Sequence, residues 1–149
     1  MESLAEARSA EIASLWSLVG QWSLVRQIRH ADGRTNSLTG EVVFTRSGSR
    51  LIQDESGLLR LDDQALEARQ RLVWKQDGSL LRVHFADMRP FHEFPLGIAD
   101  PEAVHDCPPD RYHVAYDFAH WPIWGSVWTV TGPRKDYVMN STYTPDQGG

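Results

Sequence analysis

The chain has 149 residues, a formal charge of −5 and a single cysteine, Cys107. That length suits one domain burying roughly 70% of the surface its unfolded chain exposes, so neither disulfide nor metal is needed to hold a core. An acidic balance without a Lys/Arg block argues against nonspecific nucleic-acid binding, no apolar run approaches the ~20 residues of a membrane span, and a lone cysteine fits a reducing cytoplasm.

The opening "MESLAEARSAEIASLW" lacks the basic start and unbroken apolar run of a secretory signal. Ser3 and Glu6 have capping-box spacing, and Ile12, Leu15, Trp16 and Val19 follow one helical face, which predicts an amphipathic helix over residues 1–19. From Gly20 the period changes to two. "WSLVRQIRH", "GEVVFTR", "SRLIQDES", "GLLRL", "RQRLVWK", "SLLRVHFAD", "PFHEFPL", "RYHVAYDF", "GSVWTVT" and "DYVMNSTY" are β-like runs, separated by turn signals such as Ser47-Gly48, Asp77-Gly78 and Gly132-Pro133. About eight to ten short strands without intervening long helices predict a mainly β domain, an antiparallel barrel in preference to a sandwich, spanning residues 20–143. Residues 144–149 read as a flexible tail. The stretch 97–110, "GIADPEAVHDCPPD", reads as a long loop of the kind that forms lids and binding loops.

Gly20-Gln21-Trp22, set between the N-terminal segment and the first strand, resembles the Gly-x-Trp signature of the calycins, the lipocalin and fatty-acid-binding-protein superfamily. The resemblance implies a basic residue packed over Trp22, a role for Arg134 or Lys135 in "GPRKDY" through a cation–π contact. Over nearly the whole chain, "FADMRPFH", "HDCPPDRY" and "WPIWGSVWTVTGPRKDY" resemble successive blocks of a small lipocalin-like family catalogued as a domain of unknown function, which also occurs fused to larger enzymes. Met88 stands where that family has glycine, and Thr144 where it has an arginine shortly after the final tyrosine.

Alternate residues of a barrel strand point inward. In "LLRVHFAD" the interior set is Leu81, Val83, Phe85 and Asp87, with His84 outside; in "RYHVAYDF" it is Tyr112, Val114, Tyr116 and Phe118. "PFHEF" leaves two parities open. Either His92 and Phe94 face inward, placing an imidazole in an aromatic chamber with Arg89 at its rim, or Phe91 fills the core and His92 faces solvent. With His105, Cys107 and Asp110 spaced to fold over the mouth, the expected constellation around one small molecule is Arg89, His92, His105, Asp110 and Tyr112. Phe91, Phe94, Tyr116, Trp124, Trp128 and Arg134 complete the candidate ligand-binding set, although "WPIWGSVW" also suits core and barrel-end packing.

Histidine titrates near neutrality, so His92 or His105 suits a general acid or base that Tyr112 or Asp110 would orient, while the planar fork of Arg89 suits a carboxylate or phosphate. The plainer reading pairs Arg89 with Asp87 or Glu93 and satisfies His92 on a backbone carbonyl. A metal site would need His92, His105 and Cys107 or Asp110 to converge, without any tight ligand signature in the chain. Haem on one histidine and Cys107 as a nucleophile beside His105 are further alternatives. The expectation is no metal and no cofactor, and a small organic ligand with an apolar or aromatic body and an acidic or polar group. Function then divides between cofactor-free acid/base chemistry (isomerisation, cyclisation or elimination) and plain carriage. The partner would be that small molecule, with a second copy of the chain or a larger enzyme beside it, as the fused relatives imply.

Overall fold

The computed structural model describes residues 12–146. Its strands are β1 (Gly20–His30), β2 (Thr35–Ser47), β3 (Arg50–Leu61), β4 (Gln64–Asp77), β5 (Leu80–Phe85), β6 (Pro90–Pro95), β7 (Glu102–Cys107), β8 (Asp110–His120), β9 (Ile123–Thr131) and β10 (Asp136–Pro145). They form one 10-stranded antiparallel sheet in the order β6-β5-β4-β3-β2-β1-β10-β9-β8-β7. The sheet curls until β6 and β7 meet through side chains, Phe91 against His105, with Phe85 of β5 also on His105, which makes a nearly closed barrel. Curvature is eased where Gly40 faces Gly57 across β2 and β3: a Cβ on Gly40 would run into the Ser56 carbonyl, and one on Gly57 into that of Thr39.

The turn signals perform as written, with Gly33, Gly48 and Gly78 at positive φ in the β1–β2, β2–β3 and β4–β5 turns. Residues 1–11, including Ser3 and Glu6, lie outside the described residues. Among the described residues, what precedes β1 is a 3₁₀ turn, Leu15–Leu18, capped by Ser14, whose Oγ accepts from the Trp16 N–H at 3.2 Å. Residues three apart eclipse in such a turn, so Leu15 and Leu18 point together into the barrel end and are fully buried. β10 runs through Pro145, carrying the ladder past residue 143. No helix among the described residues is long and apolar enough to cross a membrane.

The long loop expected at 97–110 is corrected: residues 102–107 are a strand paired with β8, and only a short crossing precedes it. That crossing is tied down, since Pro101 and Ala99 carbonyls accept from the Tyr116 and Phe118 N–H groups. The alternation in "EAVHDC" is real but weak, because Ala103 and His105 face inward and Val104 is left exposed.

One barrel end is closed. Trp22 donates its indole N–H to the Leu18 carbonyl at 2.9 Å and packs against Trp121 and Trp124, with ring centroids 5.5 and 6.0 Å away. The expected basic lid over Trp22 is therefore corrected. Trp22 pairs with Pro145 and His30 with Tyr137, which puts the β9–β10 turn carrying Arg134 and Lys135 at the opposite end. The register, not the family resemblance, decides this: eight residues of strand separate the two ends, about 26 Å.

Candidate functional site

Between the closed end and the open end lies a cavity of about 630 Å³. Three inward rows of the β1–β10–β9–β8 wall can be read off the register. The row nearest the mouth is His30–Tyr137–Val130–Tyr112, the next Ile28–Met139–Trp128–Val114, and the third Arg26–Ser141–Ser126–Tyr116. Below the third row, Leu24, Tyr143 and Trp124 begin the aromatic floor, where Trp124 stacks on Tyr143 at 3.9 Å.

The third row is a belt of polar groups between the apolar row of Ile28, Met139, Trp128 and Val114 and the aromatic floor. Arg26 reaches across to Glu55 of β3 in a bidentate pair at 2.8 and 3.1 Å, and donates also to Ser141 Oγ at 2.7 Å and Tyr143 Oη at 3.4 Å. Burial works against the guanidinium charge, but Tyr143 and Glu55 beside it outweigh that cost and hold it above the usual arginine range. Burial, with the Glu55 charge adding to it, also keeps the Tyr143 hydroxyl protonated. Gln53, next inward on β3, accepts from the Trp74 indole N–H at 2.7 Å.

His92 of β6 completes the belt. Its Nε2 lies 2.7 Å from Tyr116 Oη, while its Nδ1 is buried without a partner, as is the Trp124 indole nitrogen. Burial, reinforced by the nearby His105, pushes the His92 pKa down to about 3. At neutral pH the imidazole is uncharged, so it holds one proton, on Nε2 toward Tyr116 or on the enclosed, unpartnered Nδ1. Tyr116, fully enclosed, is raised well above the ordinary tyrosine range.

Above the belt stands an aromatic collar, and a β-bulge builds it. Val83 pairs with His92 but His84 with Pro90, so Phe91 is the extra residue on β6. The bulge removes the choice between parities: His92 and Phe94 are buried, and Phe91 also turns onto the cavity wall. There it stacks on Phe85 at 4.4 Å and on Trp128 at 5.0 Å, with His105 edge-on at 5.3 Å.

The expected constellation separates. His92, His105, Tyr112 and Arg89 all line the cavity, but His92 bonds to Tyr116 and not to Tyr112 or Asp110. Arg89 sits at the rim, 74% exposed, bonded to Asp87 at 2.7 Å with its guanidinium over Phe85. Asp110 pairs with Lys135 at 3.2 Å, and the same ammonium donates to Tyr112 Oη at 2.7 Å. Cys107 is exposed at the mouth. Of the wider set, Tyr116, Trp124 and Trp128 line the cavity with Phe91, Phe94 packs beneath on Tyr116 at 4.5 Å, and Arg134 is exposed and away from the lining. Among the described residues no three His, Cys, Asp or Glu side chains converge as metal ligands.

Arg26, Glu55, Ser126, Ser141 and Tyr143 escaped the sequence reading. One signal was available: Arg26 and Glu55 share the inward parity of Trp22, Leu24 and Leu51, so each is a charge on an apolar face, and such charges are almost never buried unless paired.

A search of curated proteins finds no match. Among solved structures, the chain resembles that titled "Structure of S-type Phycobiliprotein Lyase CPES from Guillardia theta", with 10% identity, a TM-score of 0.66 and coverage of 87% of this chain and 88% of that one. At that identity the likeness is one of fold. Residues 18–145 match the model described as "Family of unknown function (DUF6314)", and the chain belongs to that family.

Proposed function

We propose that the barrel binds one small organic molecule with a flat apolar or aromatic body and a polar end, and carries it. The observation behind this reading is the layering of the cavity: stacked rings of Phe85, Phe91 and Trp128 lie directly above a ring of hydrogen-bonding groups. Its volume falls within the range of small-molecule sites, which are mostly apolar with a few directing polar groups. The phycobiliprotein lyase shares the architecture.

A second reading, cofactor-free proton transfer, draws on the 2.7 Å His92–Tyr116 contact inside the cavity. Carriage is preferred, because an imidazole titrating at about 3 is a weak proton acceptor at pH 7 and efficient acid/base groups titrate near the working pH.

Native mass spectrometry of the purified protein, followed by denaturation, is expected to release an organic molecule. On emptied protein, N-phenyl-1-naphthylamine is expected to bind one-to-one with quenching of tryptophan emission, and Met139→Trp, which fills the lumen, to abolish that signal. Absence of saturable binding in the unsubstituted protein would sink the proposal. If a recovered ligand is converted by the protein, and His92→Ala binds it normally but converts none, the function moves to the proton-transfer reading.

A further inference from the structure

The belt has a property that its residue types alone do not disclose: its charge cancels. Both Glu55 oxygens are committed to Arg26, and Arg26 spends its remaining named bonds on Ser141 and Tyr143. The same holds toward the mouth, where Arg89 is paired with Asp87 and Lys135 with Asp110. An anion entering the belt would give up its hydration and meet no uncompensated cation, and a buried charge without a partner is costly. The neutral state of His92 adds none.

What the belt does offer is hydrogen bonding. Trp124, buried at the floor, carries an N–H with no acceptor, and an indole nitrogen can only donate. His92 Nδ1, also unpartnered, can donate or accept according to tautomer. Both atoms are enclosed by their surroundings, so an uncharged polar head group is met by the groups that line the cavity at this level, Ser126 and Gln53.

We propose that the belt determines specificity by admitting an uncharged polar head group, and that Glu55 excludes carboxylates, sulfonates and phosphates by neutralising Arg26. The inference rests on the cavity binding a small molecule at all. An acidic group elsewhere on the same ligand stays outside the belt, toward the solvated rim.

Two probes with the same ring system test it: neutral N-phenyl-1-naphthylamine and anionic 1-anilinonaphthalene-8-sulfonate. Their dissociation constants are measured by fluorescence for the unsubstituted protein and for Glu55→Gln. The unsubstituted protein is expected to prefer the neutral probe, and Glu55→Gln, which leaves Arg26 uncompensated, to shift the ratio at least tenfold toward the anion. Should Glu55→Gln fail to fold by circular dichroism, Ser126→Lys takes its place, since it adds a cation to the belt with the ion pair intact, and the same tenfold shift is expected. Equal or tighter binding of the anion by the unsubstituted protein overturns the proposal, as does a ratio that neither variant moves. If neither probe binds the unsubstituted protein, it is the binding function itself that fails.

Discussion

The cavity has polar groups in two places, the rim and the belt, and they are built differently. At the rim, Arg89 bonds to Asp87 two residues away with both side chains well exposed, and Lys135 joins Asp110 on the neighbouring hairpin in a partly exposed pair. In the belt, Arg26 joins Glu55 at a sequence separation of 29 and Ser141 at 115, with the ion pair only 12% and 7% exposed. Exposed ion pairs contribute about 0–1 kcal/mol, whereas removing one partner of a buried pair costs about 3–5 kcal/mol, because the other charge is stranded. The rim can be rewritten cheaply; the belt ties three strands into one electrostatic unit.

The largest expected effect follows from that contrast. Glu55→Ala should lower unfolding free energy by about 3 kcal/mol, and Arg89→Ala by no more than about 0.5 kcal/mol, in urea melts. Similar losses for both would erase the distinction between belt and rim.

The next effect depends on pH. A histidine whose folded pKa is lowered from 6.5 to about 3 contributes stability that is complete above pH 6.5 and drains away as pH falls through that window, because only the unfolded chain takes up the proton. The loss by pH 5 is about 2 kcal/mol at 1.36 kcal/mol per unit. His92→Phe should remove that part of the slope, and the His92 ring resonances should show no titration above pH 4; titration near 6.5 would place the imidazole in solvent.

Binding is expected to be more sensitive at the collar than at the rim. Phe91→Ala should weaken N-phenyl-1-naphthylamine about tenfold, in line with aromatic contacts of about 0.5–1.5 kcal/mol, and Arg89→Ala should change it less than twofold. Isothermal titration of both variants settles the order.

The smallest effect concerns the β5–β6 turn. Met88 adopts φ +73, the left-handed region that glycine occupies freely, with its N–H held by the Phe85 carbonyl at 2.8 Å. The left-handed turn therefore forms around methionine, at a cost of about 1 kcal/mol. Met88→Gly should raise stability by up to about 1 kcal/mol and leave probe binding unchanged, since the bulge that aims Phe91 lies beyond the turn.

Much of the architecture was readable from local pattern. Alternation from Trp22 onward, Asp77-Gly78 and Ser47-Gly48 at turns, and the Gly20-Gln21-Trp22 signature all act within a few residues, which is the range over which sequence speaks directly. β7 was missed because its pattern is carried by Ala103 and His105, poor markers of an inward face. The parity of "PFHEF" admitted two answers; the fold buries His92 and Phe94, and a bulge, which strict alternation excludes, brings Phe91 onto the cavity wall as well.

The sequence by itself determined that this chain makes a mainly β domain of antiparallel strands, with the barrel preferred over the sandwich, because period-two patterning and turn residues are local properties. It determined, too, which residues could face inward. Only the tertiary structure decided which of them meet. Arg26, Glu55, Ser126, Ser141 and Tyr116 lie on five strands, and a slip of one residue in any ladder would turn that strand's contribution out to solvent. Hydrogen-bond register therefore made a polar belt of residues that look unrelated in the chain, and left the histidine-and-arginine cluster suggested by proximity divided between lumen and rim.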